Sequence, residues 1–344
     1  MGEADQRPRV RLVDVADRAG VTKSVASRVL NGDPTLSARE ETRRRVRRAA
    51  QELGYQPHAG ARALAGARTK ALALLIPDLT NPTYSRIMRG AVERARQHGY
   101  VVLLAEDTPD QQADEAFAGL VGEGRVDGLL IASARPGHPL LAPGALDGVP
   151  HVFTNRAVAG SGRNITMDEA AASAAAVDHL VATGHRHIGH VAGPPDLAPS
   201  RARAGGFRAA VRRHPGLTAH LAHGEFSESG GARAAAELVA RHPGLTALYA
   251  STLSQAVGVL HALHERDLAV PGRVSVITYD DMPLADYLDP PLSTVAMPLQ
   301  ELGACAVDAL LDQLTGGAPT DILVPDRPAI VRRRSVAPPA ADDQ

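Results

Sequence analysis

Near the start of the chain, apolar Val15, Ala19, Val21, Val25, Val29 and Leu30 recur at three- and four-residue steps, and the rhythm breaks once, at Gly20. That spacing predicts two short helices sharing a buried seam, with Gly20 supplying the left-handed turn between them. Thr22 is placed to cap the second helix. Its outward positions, Lys23, Ser24, Ser27 and Arg28, carry hydrogen-bond donors and no carboxylate. Ser37 and Glu40 stand three apart as a capping box, which predicts a third helix running to about residue 53 with Gly54 closing it. Arg43, Arg44, Arg45, Arg47 and Arg48 crowd the outer face of that helix. Residues 57–69 are small and weakly apolar, with Leu64 their one large apolar side chain. This stretch is helix-prone but too short to stand alone.

Beyond residue 70 the rhythm changes to short continuous apolar runs alternating with amphipathic segments. ALALLIP, YVVLLAED, VDGLLIAS and HVFTN read as strands, and Asn81-Pro82 caps a helix to residue 98. After Gly160-Ser161-Gly162 the same grammar repeats: helices over 168–183, 200–214, 227–241 and 254–266, with strands HIGHVAG, TALYAS and RVSVITY. A helix over 298–315 and the strands ILVP and AIVRRR complete the pattern, and the Pro-, Ala- and Asp-rich tail from 335 to 344 is expected to be disordered. Continuous apolar strands between helices mean parallel sheets covered on both faces, and two successive sets mean two lobes. The fold class predicted is an all-α helix-turn-helix domain (10–56), a hinge (57–69), and an α/β core of two doubly wound lobes. The first lobe is expected over about 70–162 and 294–321, the second over about 163–293 and 322–334.

Composition sharpens this picture at three points. Residues 1–70 carry 15 Lys/Arg against 8 Asp/Glu, and the remainder 22 against 30, so a near-neutral total hides a basic head on an acidic body. That asymmetry is the footprint of a nucleic-acid module joined to a body that avoids nucleic acid. The single cysteine, Cys305, excludes an internal disulfide and a cysteine zinc cluster. With no signal-peptide pattern and no long apolar run, a cytoplasmic protein is expected.

Taken together and in order, DVADRAGVTKSVASRVLNG, ETRRRV, ELGYQP, ARALA and LLIPDLTNPTY resemble the LacI/GalR family of bacterial transcription regulators, and the likeness extends to about residue 334. The resemblance implies a regulator, commonly a repressor, that binds a pseudo-palindromic DNA operator as a homodimer under the control of a small, sugar-like effector. It places Lys23, Ser24 and Arg28 against bases, and Thr22, Ser27 and Asn31 against the backbone. Leu64, with Ala61 beside it, takes the place of the minor-groove wedge, and His58 stands where Asn is common. Arg11 replaces the usual Thr cap, Val25-Ala26 replaces Thr-Val, and the turn around 38–41 is about two residues longer than usual.

Ligands of such sheets bind beyond the carboxyl ends of the strands, in the cleft between lobes. The polar residues placed there are Asp78, Asn81, Tyr84, Asn155, Arg201, Ser251 and Asp280, with Met297 where Gln or Arg is common. By resemblance the first arginine of AGPPDLAPSRARAGGF (Arg201) and the first Asp of TYDDMPLADYLDPPLSTV (Asp280) touch the effector, and together they form a donor–acceptor clamp. Asn155 holds a position usually taken by Asp, and Ser251-Thr252 replaces Asn-Asp. His185, His187 and His190 lack carboxylate or cysteine support and read as a turn, so no metal or cofactor is expected. No phosphate loop or nucleophile elbow is present. The rival reading is an α/β solute-binding protein or enzyme with an accessory helical head. A transport receptor needs an export signal and an enzyme a catalytic motif, and the sequence displays neither.

Overall fold

The computed structural model describes residues 10–30, 33, 35–55, 68–107, 117, 119–120, 122–325 and 327–340. The chain forms two compact units, residues 1–69 with 123–127 and the remainder, and each is taken by itself. Of the hinge assigned to 57–69, only Arg68 and Thr69 are described, so His58, Ala61 and Leu64 lie outside the described residues, as does Asn31.

In the head, helices α1 (Leu12–Ala19), α2 (Lys23–Leu30) and α3 (Glu40–Leu53) surround a small core of Val15, Ala16, Ala19, Ala26, Val29, Leu36, Val46, Ala49 and Ala50. Val21, Val25 and Leu30 are partly buried against it, as the seam requires. Gly20 and Gly54 both sit at positive φ (64° and 65°), where a Cβ is disfavoured. Thr22 Oγ1 accepts the Val25 N–H at 3.3 Å, so it caps α2 as expected. The capping box at Ser37 is not formed. The N-cap of α3 is Arg39, the Ala38 N–H turns back to the Leu36 carbonyl, and Glu40 is the first helical residue rather than the third.

The core holds two six-stranded sheets. The first is ordered β11-β5-β4-β3-β1-β2, from β1 (Ala71–Ile76), β2 (Val101–Glu106), β3 (Gly128–Ile131), β4 (His151–Thr154), β5 (Asn164–Thr166) and β11 (Ile322–Leu323). All its ladders are parallel. The second is ordered β12-β10-β9-β8-β6-β7, from β6 (His187–Ala192), β7 (Thr218–His223), β8 (Ala247–Ala250), β9 (Ser275–Tyr279), β10 (Ser293–Ala296) and β12 (Ala329–Val331). Only the β10–β12 ladder is antiparallel.

Three strands escaped the sequence reading: β5, β7 and β10. They also move the points where the chain changes lobe. Asn164–Thr166 and Ile322–Leu323, assigned above to the second lobe, pair in the first sheet, and Ser293–Ala296 belongs wholly to the second. The tail is corrected as well. Ser335 is fully buried, its hydroxyl donates to the Val276 carbonyl and accepts the Ser293 N–H, and the Val276 N–H reaches the Ser335 carbonyl at 2.8 Å. Ser275 holds Ala337 in the same way, so 335–340 is strapped along β9, and 341–344 lies outside the described residues.

Helices α5 (Glu169–Ala182) and α6 (Ala198–Arg213) cover one face of the second sheet, meeting Ile188, Ala247, Tyr249, Ile277 and Tyr279. Helices α7 (Glu228–Arg241) and α8 (Leu253–His264) cover the alternate positions Val191, Leu248, Ala250 and Val276. Helix α4 (Pro82–Gln97) crosses α9 (Leu299–Leu314) closely on the first lobe. A Cβ at Gly303 falls 2.0 Å from the Ile87 carbonyl oxygen, and one at Gly90 falls 1.9 Å from that of Gln300. Backbone cannot yield as a flexible side chain can. Gly303→Ala is therefore expected to lower unfolding free energy by about 1–3 kcal/mol in urea melts, and an unchanged midpoint would show that the helices separate freely.

Candidate functional site

In the head, Thr22, Lys23 and Ser24 are exposed at the start of α2, while Ser27 and Arg28 are half-buried. The basic face of α3 is partly committed to its own neighbours. Arg43 donates to the Leu36 carbonyl at 2.7 Å, and Arg48 and Arg18 both reach Glu52, at 2.8 and 3.0 Å. Arg44 and Arg45 stay exposed. The head thus presents donors along α2 and cations along α3, a surface matched to acceptors and phosphates.

In the core, the carboxyl ends of β4 and β9 carry matching residues. Asn155 follows β4 and Asp280 follows β9, each third in its sheet, each buried, each at positive φ (67° and 72°). Their N–H groups reach the Ile165 and Val295 carbonyls of the next strand, at 3.0 and 3.1 Å. Non-glycine residues held in this conformation concentrate at sites where geometry matters more than ease of folding. Asp280 Oδ2 accepts the Thr83 hydroxyl at 2.7 Å, a bond from the first turn of α4 across to the other lobe. Asn155 Nδ2 points to the Tyr84 hydroxyl at 3.5 Å.

The cation beside Asp280 is Arg203, not Arg201. Arg201 is exposed and donates to the Asp196 carbonyl, so the Arg201–Asp280 clamp is not formed. Two residues on, Arg203 is 3% exposed; Nε donates to Glu169 Oε2 and Nη1 to the Ser251 carbonyl, both at 2.6 Å. Its guanidinium carbon lies 3.6 Å from the centre of the Tyr279 ring. Ser251 also shares a 2.8 Å hydrogen bond with His190, which stacks on Tyr249. Glu169 opens α5 directly after its cap Asp168, and its 6% exposure makes the pair with Arg203 a buried one.

Three acceptors in this cluster take no hydrogen bond: Asn155 Oδ1, Glu169 Oε1 and Asp280 Oδ1. Buried polar atoms are rarely left so, and each is costly unless something else donates to it. Burial pushes the Asp280 carboxyl up to about 6, opposed by Arg203 and Thr83.

Tyr84, Asn155, Ser251 and Asp280 are therefore brought to one cluster, together with Thr83, Glu169, Arg203 and Tyr279, which the sequence reading missed. Four others are used elsewhere. Asp78 Oδ1 closes its own turn on Thr80, Asn81 caps α4 through the Thr83 N–H, Met297 packs among apolar side chains, and Arg201 faces solvent. Helical phase held the missing signal for Arg203. It lies three residues after Ser200 and four before Phe207, both buried, whereas Arg201 falls off that face.

Burial of histidine makes stability pH-dependent with a definite sign. His190 is pushed down to about 3 and His185 to about 4, both mainly by burial, so the folded chain refuses protons that the unfolded chain binds below its ordinary histidine pKa. Stability is full above about pH 6.5 and falls as pH drops, by about 1.4 kcal/mol per pH unit for each such histidine. Asp280 has the opposite sign: its raised pKa makes the ionised form a burden, relieved as pH falls from about 6 towards 4. Asp280→Asn is expected to stabilise by about 2–3 kcal/mol at pH 7.5, with the gain shrinking to near zero by pH 4. A difference that stays constant across urea melts from pH 4 to 7.5 would contradict this.

Two family models match the chain: "Bacterial regulatory proteins, lacI family" over residues 11–58, and "Periplasmic binding protein-like domain" over residues 177–336. The ribose operon repressor of Escherichia coli K12 is 33% identical over 88% of this chain and 92% of its own length. This chain belongs to the LacI family. Among other relatives of this LacI-family protein, the E. coli repressor CytR is 30% identical over 90% of the chain and 92% of that protein. Among solved structures, the lac repressor dimer bound to operator and the anti-inducer ONPF superposes with a TM-score of 0.82 at 27% identity, covering 96% of this chain and 99% of that one. The transcriptional regulator CelR in complex with cellobiose gives 0.71 at 29% identity, over 95% and 100%. These relatives are transcriptional regulators and not enzymes. No described helix is long and apolar enough to cross a membrane.

Proposed function

We infer that this LacI-family chain is a sequence-specific transcriptional repressor, acting in the cytoplasm as a homodimer on a pseudo-palindromic operator and released or engaged by a sugar-like effector held between its lobes. The observation that carries this reading is one chain joining a donor-lined helix-turn-helix to a two-lobed core whose buried polar cluster spans both lobes through Thr83 and Asp280. One helix-turn-helix makes too few contacts for tight specific binding, and a two-fold dimer doubles them. A groove of about 540 Å³, lined in part by exposed Val92 and Leu284, offers apolar surface for a second copy.

The three acceptors without partners favour a ligand that brings hydroxyl donors. Two carboxylates share one guanidinium there, which disfavours ligands with negative charge. Effector that prefers one lobe arrangement shifts the population of that arrangement, and with it the spacing of the paired heads. No residue is assigned a catalytic role.

A thermal-shift screen over neutral sugars, polyols, nucleosides and sugar phosphates tests the reading. A neutral hydroxyl-rich ligand at a hundredfold excess over its Kd is expected to stabilise by about 2.7 kcal/mol and to change the affinity of the full chain for DNA. A stabilising ligand without effect on DNA affinity would contradict it.

A further inference from the structure

The Arg28 guanidinium, at the end of the helix read as meeting DNA, is already held. Nε donates to Asp33 Oδ2 at 2.7 Å and Nη2 donates to Thr35 Oγ1 at 3.0 Å. The carboxylate is fixed in turn, because Asp33 Oδ1 accepts both the Thr35 N–H at 2.8 Å and its hydroxyl at 2.7 Å. The Asp33 N–H returns to the Arg28 carbonyl at 3.0 Å, which closes the loop onto α2. Hydrogen bonds from Arg28 and Thr35 lower the Asp33 carboxyl to about 2, so it is ionised wherever DNA is bound.

A guanidinium carries five coplanar donor hydrogens. With the Nε hydrogen and one on Nη2 committed, the end edge formed by Nη1 and Nη2 still offers two parallel donors. That edge is what the O6 and N7 acceptors of guanine receive in the major groove. A long side chain fixed before encounter also gives up less rotamer freedom on binding. An acid at a DNA-facing loop is otherwise unfavourable, since it repels phosphates.

We propose that Asp33, assisted by Thr35, is a positioning residue for base recognition: it holds Arg28 so that the end edge of its guanidinium meets a guanine. This rests on the reading of Arg28 as a base-contacting residue. Two simpler roles, an ion pair that merely competes with DNA and a charge that merely repels it, both predict tighter operator binding once Asp33 is removed.

The full-length protein is used throughout, with a duplex enriched by the wild type from a random pool as operator and a scrambled duplex of equal length as control. In anisotropy titrations, Asp33→Ala is expected to strengthen scrambled-duplex binding roughly two- to threefold by loss of repulsion. The same change is expected to weaken operator binding by roughly tenfold, the lower end of one bidentate contact. In an Arg28→Ala background it is expected to cost the operator nothing further. Enrichment repeated with Asp33→Ala is expected to lose guanine at the same position that Arg28→Ala loses. Thr35→Val gives the same loss on a smaller scale and serves if Asp33→Ala lowers the helix content of the protein. Operator affinity equal to or above wild type in Asp33→Ala, with guanine preference lost only in Arg28→Ala, overturns the proposal and leaves Arg28 as the reader. Full guanine preference in Arg28→Ala overturns that earlier reading instead.

Discussion

Arg203→Met is expected to lower unfolding free energy by about 3–5 kcal/mol at pH 7.5, because it strands Glu169 as an uncompensated buried charge. The guanidinium also holds the Ser251 carbonyl and covers the Tyr279 ring, so three partners lose contact at once. Removing both charges tests the cause. Glu169→Gln with Arg203→Met is expected to recover at least half of the loss, since a buried ion pair itself contributes little over neutral groups of similar volume. The single variant is further expected to abolish any effect of effector on DNA binding, because Arg203 is the cation that orders Asp280 and Glu169 between the lobes. Urea melts of the two variants and the wild type decide the matter. A single variant within about 0.5 kcal/mol of wild type, the range of ordinary surface changes, would place Arg203 outside the energetic centre of the core.

Arg28→Ala is expected to reduce operator affinity by about 1–3 kcal/mol, roughly tenfold to a hundredfold, while binding to scrambled duplex changes little. The salt dependence is informative here. A residue that meets a base rather than a phosphate leaves the slope of log affinity against log salt nearly unchanged, whereas loss of a phosphate contact reduces it by about one. Titrations from 50 to 200 mM salt separate the two. Equal losses on operator and scrambled DNA, with a shallower slope, would make Arg28 a backbone contact.

What the sequence disclosed and what it hid divide along the range of the forces involved. The helices of the head and the strands β1, β3, β6, β8 and β9 were legible because local periodicity and caps such as Asn81-Pro82 and Asp168 specify them. Strand β7 (THALAH-like in composition but ordered as Thr218–His223) carries little apolar bulk, and β5 and β10 are only three and four residues long, so their identity comes from ladders with distant partners. Ser335 looked like the start of a loose tail, and its place is set by hydrogen bonds to Val276 and Ser293, 59 and 42 residues away. Glu169 follows a helix cap, where an acid ordinarily sits in solvent and favours the helix dipole. Only the arrival of Arg203, 34 residues on, explains its burial. The choice of Arg201 over Arg203 came from counting along a motif, where counting around the helix separates them.

The most direct measurement is enrichment of duplex DNA from a random pool by the full-length protein, with the stoichiometry of the final complex read by analytical ultracentrifugation. The expected result is a two-fold related sequence with a guanine preference in each half-site, bound by two chains, its retention altered by a neutral sugar-like ligand. Recovery of unenriched sequence, or of a single asymmetric site held by one chain, would contradict the central claim that two basic heads read DNA together under the control of the core.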